Sequence, residues 1–159
     1  MAFSIRLTEA ERAIANSYAK LHSVSLGEAF KNALFEKIED EYDITVAAEA
    51  YQEYVSAGKK SRPFQERVRF VMYRVETTAR FDKEFKKLDK YTQRMIAAWI
   101  DKNLEGSENP RVHGKGFTAN RSGQWRYRIG DYRLICAIQD NELVILALTV
   151  GHRRTVYDQ

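Results

Sequence analysis

The closing stretch of the chain, residues 123–157, places the strongest constraint on the fold. It reads GQWRYRIGDYRLICAIQDNELVILALTVGHRRTVY. Apolar and polar side chains alternate in three runs, and the pairs Gly130-Asp131 and Asp140-Asn141 between them are typical of tight turns. This pattern predicts three consecutive antiparallel strands. Cationic and proton-carrying side chains lie on these strands or at their ends, as expected of a sheet that binds phosphate: Arg126, Arg128, Arg133, His152, Arg153 and Tyr157.

Charge is divided unevenly along the 159 residues. Residues 1–58 carry five Lys/Arg against ten Asp/Glu, residues 59–71 carry five against one, and residues 72–159 carry 16 against 11. An acidic front and a basic back predict two modules that attract each other, and the basic module predicts a polyanionic partner such as nucleic acid. The composition, 44% apolar and 30% charged, is that of a globular protein and leaves the number of domains open.

Several classes of protein are not indicated. Cys136 is the one cysteine, which excludes an internal disulfide, and its apolar strand predicts a buried thiol. No apolar run reaches the roughly 18 to 20 residues of a membrane helix, and the N-terminus lacks the features of a signal peptide, so a cytoplasmic protein without a membrane partner is expected. Neither metal-ligand spacing nor a glycine-rich phosphate loop is present, so no metal and no cofactor are expected.

The front of the chain predicts a short strand followed by two helices. Residues 3–7 alternate apolar and polar, which turns Ser4 and Arg6 away from the apolar face. Capping-box sequences that begin at Thr8 and Ser25 open the helices, the second of which is predicted to end near Glu41. A single strand this short is not stable alone, so a second copy of the chain is expected to pair with it.

The segments FSIRLTEAER and SLGEAFKNAL resemble the ribbon-helix-helix domain of RelB-type antitoxins. The resemblance implies a homodimer formed through the N-terminal strand, whose paired strands enter the major groove of operator DNA with Ser4 and Arg6 facing the bases. An alternative is that Arg6 is a solvated strand residue. The net negative charge of this front module opposes tight DNA binding on its own, because neutralisation of phosphates dominates affinity.

Residues 44–57 have apolar side chains at helical spacing and acidic ones on another side. In RelB-type antitoxins the corresponding helix lies against the toxin, so the resemblance implies a helix that covers a basic surface. The alternative is a third helix that folds back on its own domain. Residues 58–63 contain Gly, a basic cluster and Pro, as in a linker. The domains predicted are 1–43 for dimerisation and DNA binding, 44–71 for the covering helix and linker, and 72–159.

The order of elements in residues 72–159 is strand, helix, helix and three strands. This order predicts an α+β domain with a four-stranded antiparallel sheet and two helices on one face. The segments MYRVETTARFDKEFKKL, WRYRIGDYRL and VGHRRTVY resemble RelE-type toxins, which cut messenger RNA on the ribosome. The resemblance implies catalytic roles for Arg126, Arg128, Arg133, Arg153 and Tyr157, and RNA-binding roles for Lys115 and Arg154.

The chemistry divides these residues by role. Cleavage requires the 2′-hydroxyl of the RNA to lose a proton and attack the adjacent phosphorus. Arginine binds phosphate oxygens well, but with a pKa above about 12 it is a poor base. Proton transfer is therefore assigned to His152, Tyr157 or Lys115. These groups are expected to converge with the arginines on one face of the sheet.

An antitoxin and a toxin in one chain predict a fused, self-inhibited protein, because a tether keeps even a weak inhibitor in place. Two other interpretations remain open. The back half is a structural corepressor of a DNA-binding regulator and has no catalytic activity, or it is a general RNA-binding module.

Overall fold

A computed structural model describes residues 4–64, 72–117 and 123–153. Within these ranges four α-helices and six strands form, with short 3₁₀ turns at Pro110–His113 and Asp140–Glu142. The helices are α1 (Glu9–Leu21), α2 (Leu26–Ser56), α3 (Ala79–Lys87) and α4 (Lys90–Asn103). The strands are β1 (Arg62–Pro63), β2 (Arg74–Thr77), β3 (Lys115–Gly116), β4 (Gln124–Ile129), β5 (Tyr132–Gln139) and β6 (Val144–His152).

The chain forms two compact units, Met1–Asp40 and Glu41–Gln159. The division falls inside α2, so residues 41–64 pack with the back half of the chain. The domain boundaries predicted from the sequence divide the chain by its resemblance to known families, whereas these units are defined by compactness. The predicted boundaries therefore stay predictions. No helix among the described residues is long and apolar enough to cross a membrane.

The first unit confirms both predicted helix starts. The Thr8 side chain accepts a hydrogen bond from the Glu11 amide, and the Glu11 carboxylate accepts one from the Thr8 amide. The Ser25 hydroxyl accepts from the Glu28 amide at 3.1 Å at the start of α2. The predicted strand is wrong for residues 4–7, which have no regular structure, while Phe3 lies outside the described residues. The described part of this unit offers no second strand to pair with it, and a lone strand is unstable.

The predicted break between two helices near residues 41–44 is also wrong. One helix, α2, runs through this region to Ser56. No Gly or Pro occurs between Gly27 and Gly58, so nothing in the sequence stops the helix there. The helix ends where Gly58 and Lys59 adopt positive φ and the Lys59 amide donates to the Tyr54 carbonyl at 2.9 Å, which confirms the predicted linker as a helix stop.

The sheet has the strand order β1-β2-β6-β5-β4-β3. The three predicted strands β4, β5 and β6 are antiparallel neighbours, as expected from their turns. The prediction of a four-stranded antiparallel sheet is wrong, because β2 pairs with β6 in parallel and two short edge strands extend the sheet to six. Tight turns fix the directions of β4 to β6 only. The long connection through α3 and α4 permits a parallel pairing for β2.

Each face of the sheet has its own hydrophobic core. Helices α3 and α4 pack on one face through the fully buried Phe81, Ile96 and Ile100, each contributing about 1.5–3 kcal/mol, which confirms the predicted pair of helices on one face. The last part of α2 packs on the other face through Ala47, Ala50 and Tyr54. Its partners on the sheet are Ile135, Ala137, Val144, Leu146 and Leu148.

Candidate functional site

Three of the predicted arginines share the face of the sheet that α2 covers. Arg126 and Arg128 alternate with inward residues of β4, and Arg128 lies directly opposite Arg133 of β5. Arg126 and Arg133 are only 3% and 6% exposed, whereas Arg128 is exposed. Like charges at opposed positions of a sheet are unfavourable unless an anion lies near them. This arginine face, defined as Arg126, Arg128 and Arg133, therefore calls for a negative partner.

Asp43 of α2 is that partner for the two buried arginines. Its side chain is 0% exposed, with Oδ2 3.0 Å from Nη1 of Arg126 and Oδ1 2.8 Å from Nε of Arg133. The ring of Tyr42 lies 5.1 Å from Cζ of Arg133, at cation-π distance. One carboxylate thus faces two guanidinium groups in a region that α2 shields from water, where the attraction between charges is stronger than at the surface.

The sequence of α2 brings this carboxylate to the sheet. Asp43, Ala47, Ala50 and Tyr54 are spaced four, three and four residues apart, which puts them on one side of the helix. The two alanines allow a close approach, and the Gln124 side-chain amide reaches the Ala47 carbonyl at 3.4 Å. Sequence reasoning missed Asp43, since it fell between two predicted helices. The signal available in the sequence was that Asp43 is the one acidic residue in this stripe and lies at its N-terminal end.

A cleft of about 200 Å³ adjoins the buried ion pairs. Within it, the Glu84 carboxylate accepts hydrogen bonds from the Thr149 hydroxyl and, at 3.0 Å, from the Val150 amide. Arg80 donates from Nε to Glu84 at 3.0 Å and from Nη1 to Glu53 of α2 at 3.0 Å. Sequence reasoning missed Arg80 and Glu84, because α3 was considered only for its apolar face. The cleft is lined by Tyr42, Val46, Arg80, Glu84, Arg133, Ile135, Thr149, Val150 and Gly151.

The expected convergence on one face is wrong for His152. In the register of β5 and β6, His152 lies opposite Tyr132, with ring centroids 5.1 Å apart, and Tyr132 packs against the core under α3 and α4. Simple alternation would place His152 on the arginine face. A bulge in β6, where Ala147 pairs with Cys136 but Thr149 pairs with Ile135, inserts one residue and reverses the side on which the end of the strand points its residues.

The other predicted site residues are placed as follows. Lys115 of β3 is exposed and lies opposite Arg126 in the register, hence on the arginine face. Arg153 is partly buried, and its backbone amide donates to the Asp131 carbonyl at 2.8 Å. Ser4 and Arg6 are exposed in the first unit. Arg154 and Tyr157 lie outside the described residues.

Cys136 takes no part in this site. It is fully buried in the core, as predicted, and burial raises the pKa of its thiol. The described ranges hold no group of three or more His, Cys, Asp or Glu side chains that could bind a metal ion. The arginines of the covered face suit the binding of anions, and the Asp43 carboxylate already lies between two of them.

Comparison with known families matches the two halves of the chain to different families. Residues 75–157 match the family described as ParE toxin of type II toxin-antitoxin system, parDE. This match places the back half among the toxins of such systems. The chain belongs to the ParE toxin family. Residues 1–69 match a family of unknown function, DUF6290. The resemblance of residues 72–159 to RelE-type toxins is confirmed as a match to the ParE/RelE class of toxin domain, and a separate family match for the front is consistent with an antitoxin-like module fused to it.

Solved toxin-antitoxin structures align with 52% of the chain. The RelBE2 toxin-antitoxin complex from Mycobacterium tuberculosis is 27% identical, with 99% of that chain covered and a TM-score of 0.47. The isolated RelE toxin of E. coli is 20% identical, with 84% covered and a TM-score of 0.43. The RelB-RelE complex from Methanococcus jannaschii is 20% identical, with 94% covered and a TM-score of 0.42. No curated protein matches the chain.

Proposed function

We propose that the chain is a fused toxin-antitoxin protein whose back half is a ribosome-dependent mRNA endoribonuclease, held inactive by residues 41–56 of α2. The observation that carries the proposal is the buried Asp43 carboxylate between Arg126 and Arg133. Arginine forks that bind a carboxylate also suit a phosphate of RNA. Asp43 therefore occupies the place of a substrate phosphate, and α2 must leave the arginine face before RNA binds.

Once uncovered, the arginines stabilise the negative charge that develops on the phosphate oxygens as the 2′-hydroxyl attacks phosphorus and the bond between phosphorus and the departing 5′-oxygen breaks. The proton of that hydroxyl needs a separate acceptor. Lys115 is the candidate that the strand register puts on the arginine face. His152 and Tyr157 remain the other candidates. A proton carrier is identified by a substitution that lowers the cleavage rate without lowering the affinity for RNA.

Ribosome-dependent cleavage of mRNA by the full chain tests the proposal. Asp43→Asn keeps the shape of the side chain but removes the negative charge that faces both buried arginines, so it is expected to release α2 and raise cleavage above that of the parent chain. Glu49→Gln is the matched control, because Glu49 is an exposed carboxylate of the same helix. Addition of Arg133→Gln to Asp43→Asn is expected to abolish the cleavage gained.

Absence of cleavage in a folded Asp43→Asn variant would favour the second candidate, a DNA-binding regulator whose back half is a non-catalytic corepressor. The specific observation in its favour is that Arg126 and Arg133 are already ion-paired with Asp43, as in a structural ion pair. RNA binding without cutting would favour the general RNA-binding module.

The first unit supports a second proposed activity, autorepression through operator DNA by a homodimer in the cytoplasm. Its described residues leave large apolar side chains exposed, among them Leu21 of α1. Three others, Ile14 and Tyr18 of α1 and Leu34 of α2, line apolar clefts of about 710 and 550 Å³. Such a surface is suited to burial against a second copy. Sedimentation of the full chain tests dimerisation. Arg6→Ala is expected to weaken operator binding while the dimer persists.

A further inference from the structure

We propose that Arg80 of α3 is a further phosphate-binding residue of the covered site and that Glu53 of α2 occupies the position beside it that an RNA phosphate would take. This inference rests on the proposed function, because the phosphate belongs to the RNA that the arginine face binds. It adds a subsite on a different element of the fold. Arg80 lines the same cleft as Arg133, so the two guanidinium groups border one space of about 200 Å³.

Arg80 is held in position by a hydrogen bond within α3. Its Nε donates to Glu84 at 3.0 Å, one helical turn further along α3. Glu84 is itself fixed to β6 by the Thr149 hydroxyl and by the Val150 amide at 3.0 Å. The Glu84 carboxylate is therefore occupied by contacts within the toxin domain. A guanidinium anchored at Nε keeps its outer nitrogens for a ligand and loses less entropy when it binds one.

The outer edge of Arg80 is occupied by the covering helix. Nη1 lies 3.0 Å from the Glu53 carboxylate, whose side chain is 61% exposed against 21% for Arg80. An ion pair this exposed contributes little stability and is readily replaced by another anion. Asp43 is buried, and so its ion pairs open only when α2 leaves. Of the two arginines that line the cleft, Arg80 is therefore the one that an incoming phosphate reaches with the least displacement of α2.

The two carboxylates of α2 form a pattern along the helix. Asp43 and Glu53 are ten residues apart, which corresponds to roughly 15 Å along the axis, and both face guanidinium groups of the toxin domain. A rod with negative charges at intervals resembles a strand of nucleic acid in its charge pattern. The helix therefore blocks two phosphate subsites, the buried one at Arg126 and Arg133 and the outer one at Arg80.

The test measures binding of a fluorescent RNA oligonucleotide with 2′-O-methyl groups, which cannot be cut through the 2′-hydroxyl, to the full chain carrying Asp43→Asn and Glu53→Gln. Adding Arg80→Gln is expected to weaken binding about tenfold, the typical effect of losing one charge-assisted contact. It should also lower the slope of log affinity against log salt by about 0.7. Arg94→Gln removes the same charge from an exposed position of α4 and is expected to change neither.

A second comparison leaves Asp43 in place. Glu53→Gln alone is expected to raise RNA affinity by freeing Arg80, and the same change in an Arg80→Gln background is expected to have no effect. If Arg133→Gln weakens RNA binding but Arg80→Gln does not, the role of Arg80 is refuted and the proposed function stands. If none of the uncovered variants binds RNA, both are refuted.

Discussion

The exchange of Asp43 for Asn gives the sharpest test of how α2 is held on the sheet. The carboxylate is 0% exposed and its two partners are 3% and 8% exposed at their side chains, so water cannot replace the lost charge while the helix stays docked. Removing one partner of a buried ion pair costs about 3–5 kcal/mol, because the remaining charge is left uncompensated. We expect Asp43→Asn to weaken the docking of residues 41–56 by about that amount.

Native-state hydrogen exchange measures this loss directly. A cost of about 3 kcal/mol corresponds to exchange of the α2 amides in residues 41–56 that is faster by about 100-fold, since each 1.4 kcal/mol is a factor of about ten. Urea unfolding of the same variant gives the effect on global stability. Glu49→Gln is the control, and a surface change of this kind is expected to alter stability by less than about 0.5 kcal/mol.

The compensating variant distinguishes charge imbalance from loss of packing. Asp43→Leu combined with Arg126→Met and Arg133→Met replaces all three charges by apolar groups. Such replacements of buried ionic groups are commonly neutral or stabilising. We therefore expect the triple variant to recover most of the stability that Asp43→Asn loses. An Asp43→Asn variant that exchanges no faster than Glu49→Gln would refute the reasoning, because the ion pairs would then not hold the helix.

Three further outcomes follow from the described residues. The Arg111 guanidinium holds the pKa of Asp140 below its usual value of 3.8. The ionised carboxylate therefore stabilises the fold above pH 3.8, and this stabilisation is lost as the pH falls through the lower pKa of the folded state. Asp140→Asn should remove that acid dependence, measured as thermal midpoints from about pH 5 to 2. Gly114→Ala puts a Cβ 2.6 Å from a backbone oxygen of β4 and should cost about 1–3 kcal/mol in urea unfolding, whereas Gly27→Ala, in a helix with nothing within 4 Å, should stabilise by about 0.5–1 kcal/mol. Burial raises the pKa of the Cys136 thiol, so its rate of reaction with a thiol reagent should follow unfolding and be negligible in the native state.

The features predicted correctly are those that neighbouring residues determine. Thr8 and its partner three residues later cap α1 because both halves of the capping box lie within one turn. The strands β4, β5 and β6 follow from alternation and turn residues, and their antiparallel order follows from short connections. The apolar stripes of α3 and α4 likewise identify the face of each helix that packs in the core.

The features predicted wrongly depend on partners distant in sequence. The pairing of β2 with β6 joins residues about 70 apart, and nothing in either segment sets its direction. The bulge in β6 moves His152 to the opposite face, and a one-residue irregularity leaves no mark on an apolar run. The role of Asp43 depends on Arg126 and Arg133, which lie more than 80 residues away in the sequence. The arginine face itself was predicted, but not the residue that covers it.

The three buried charges also bear on the choice between a functional and a structural arginine face. Apolar residues at positions 43, 126 and 133 would hold α2 to the sheet at least as well as an ion triad does. Stability therefore gives no reason for two arginines under a helix, whereas a phosphate site that has to be covered does. The short linker after α2 also keeps this helix close to the arginine face. Only residues 57–61 separate α2 from β1, which pairs with β2 at the edge of the sheet. Arg62 of β1 contacts Asp82 through two nitrogens, at 2.7 and 2.8 Å. A helix fixed this close to its site rebinds at an effective concentration on the order of millimolar or above, so the contacts at Asp43 need to be selective rather than strong.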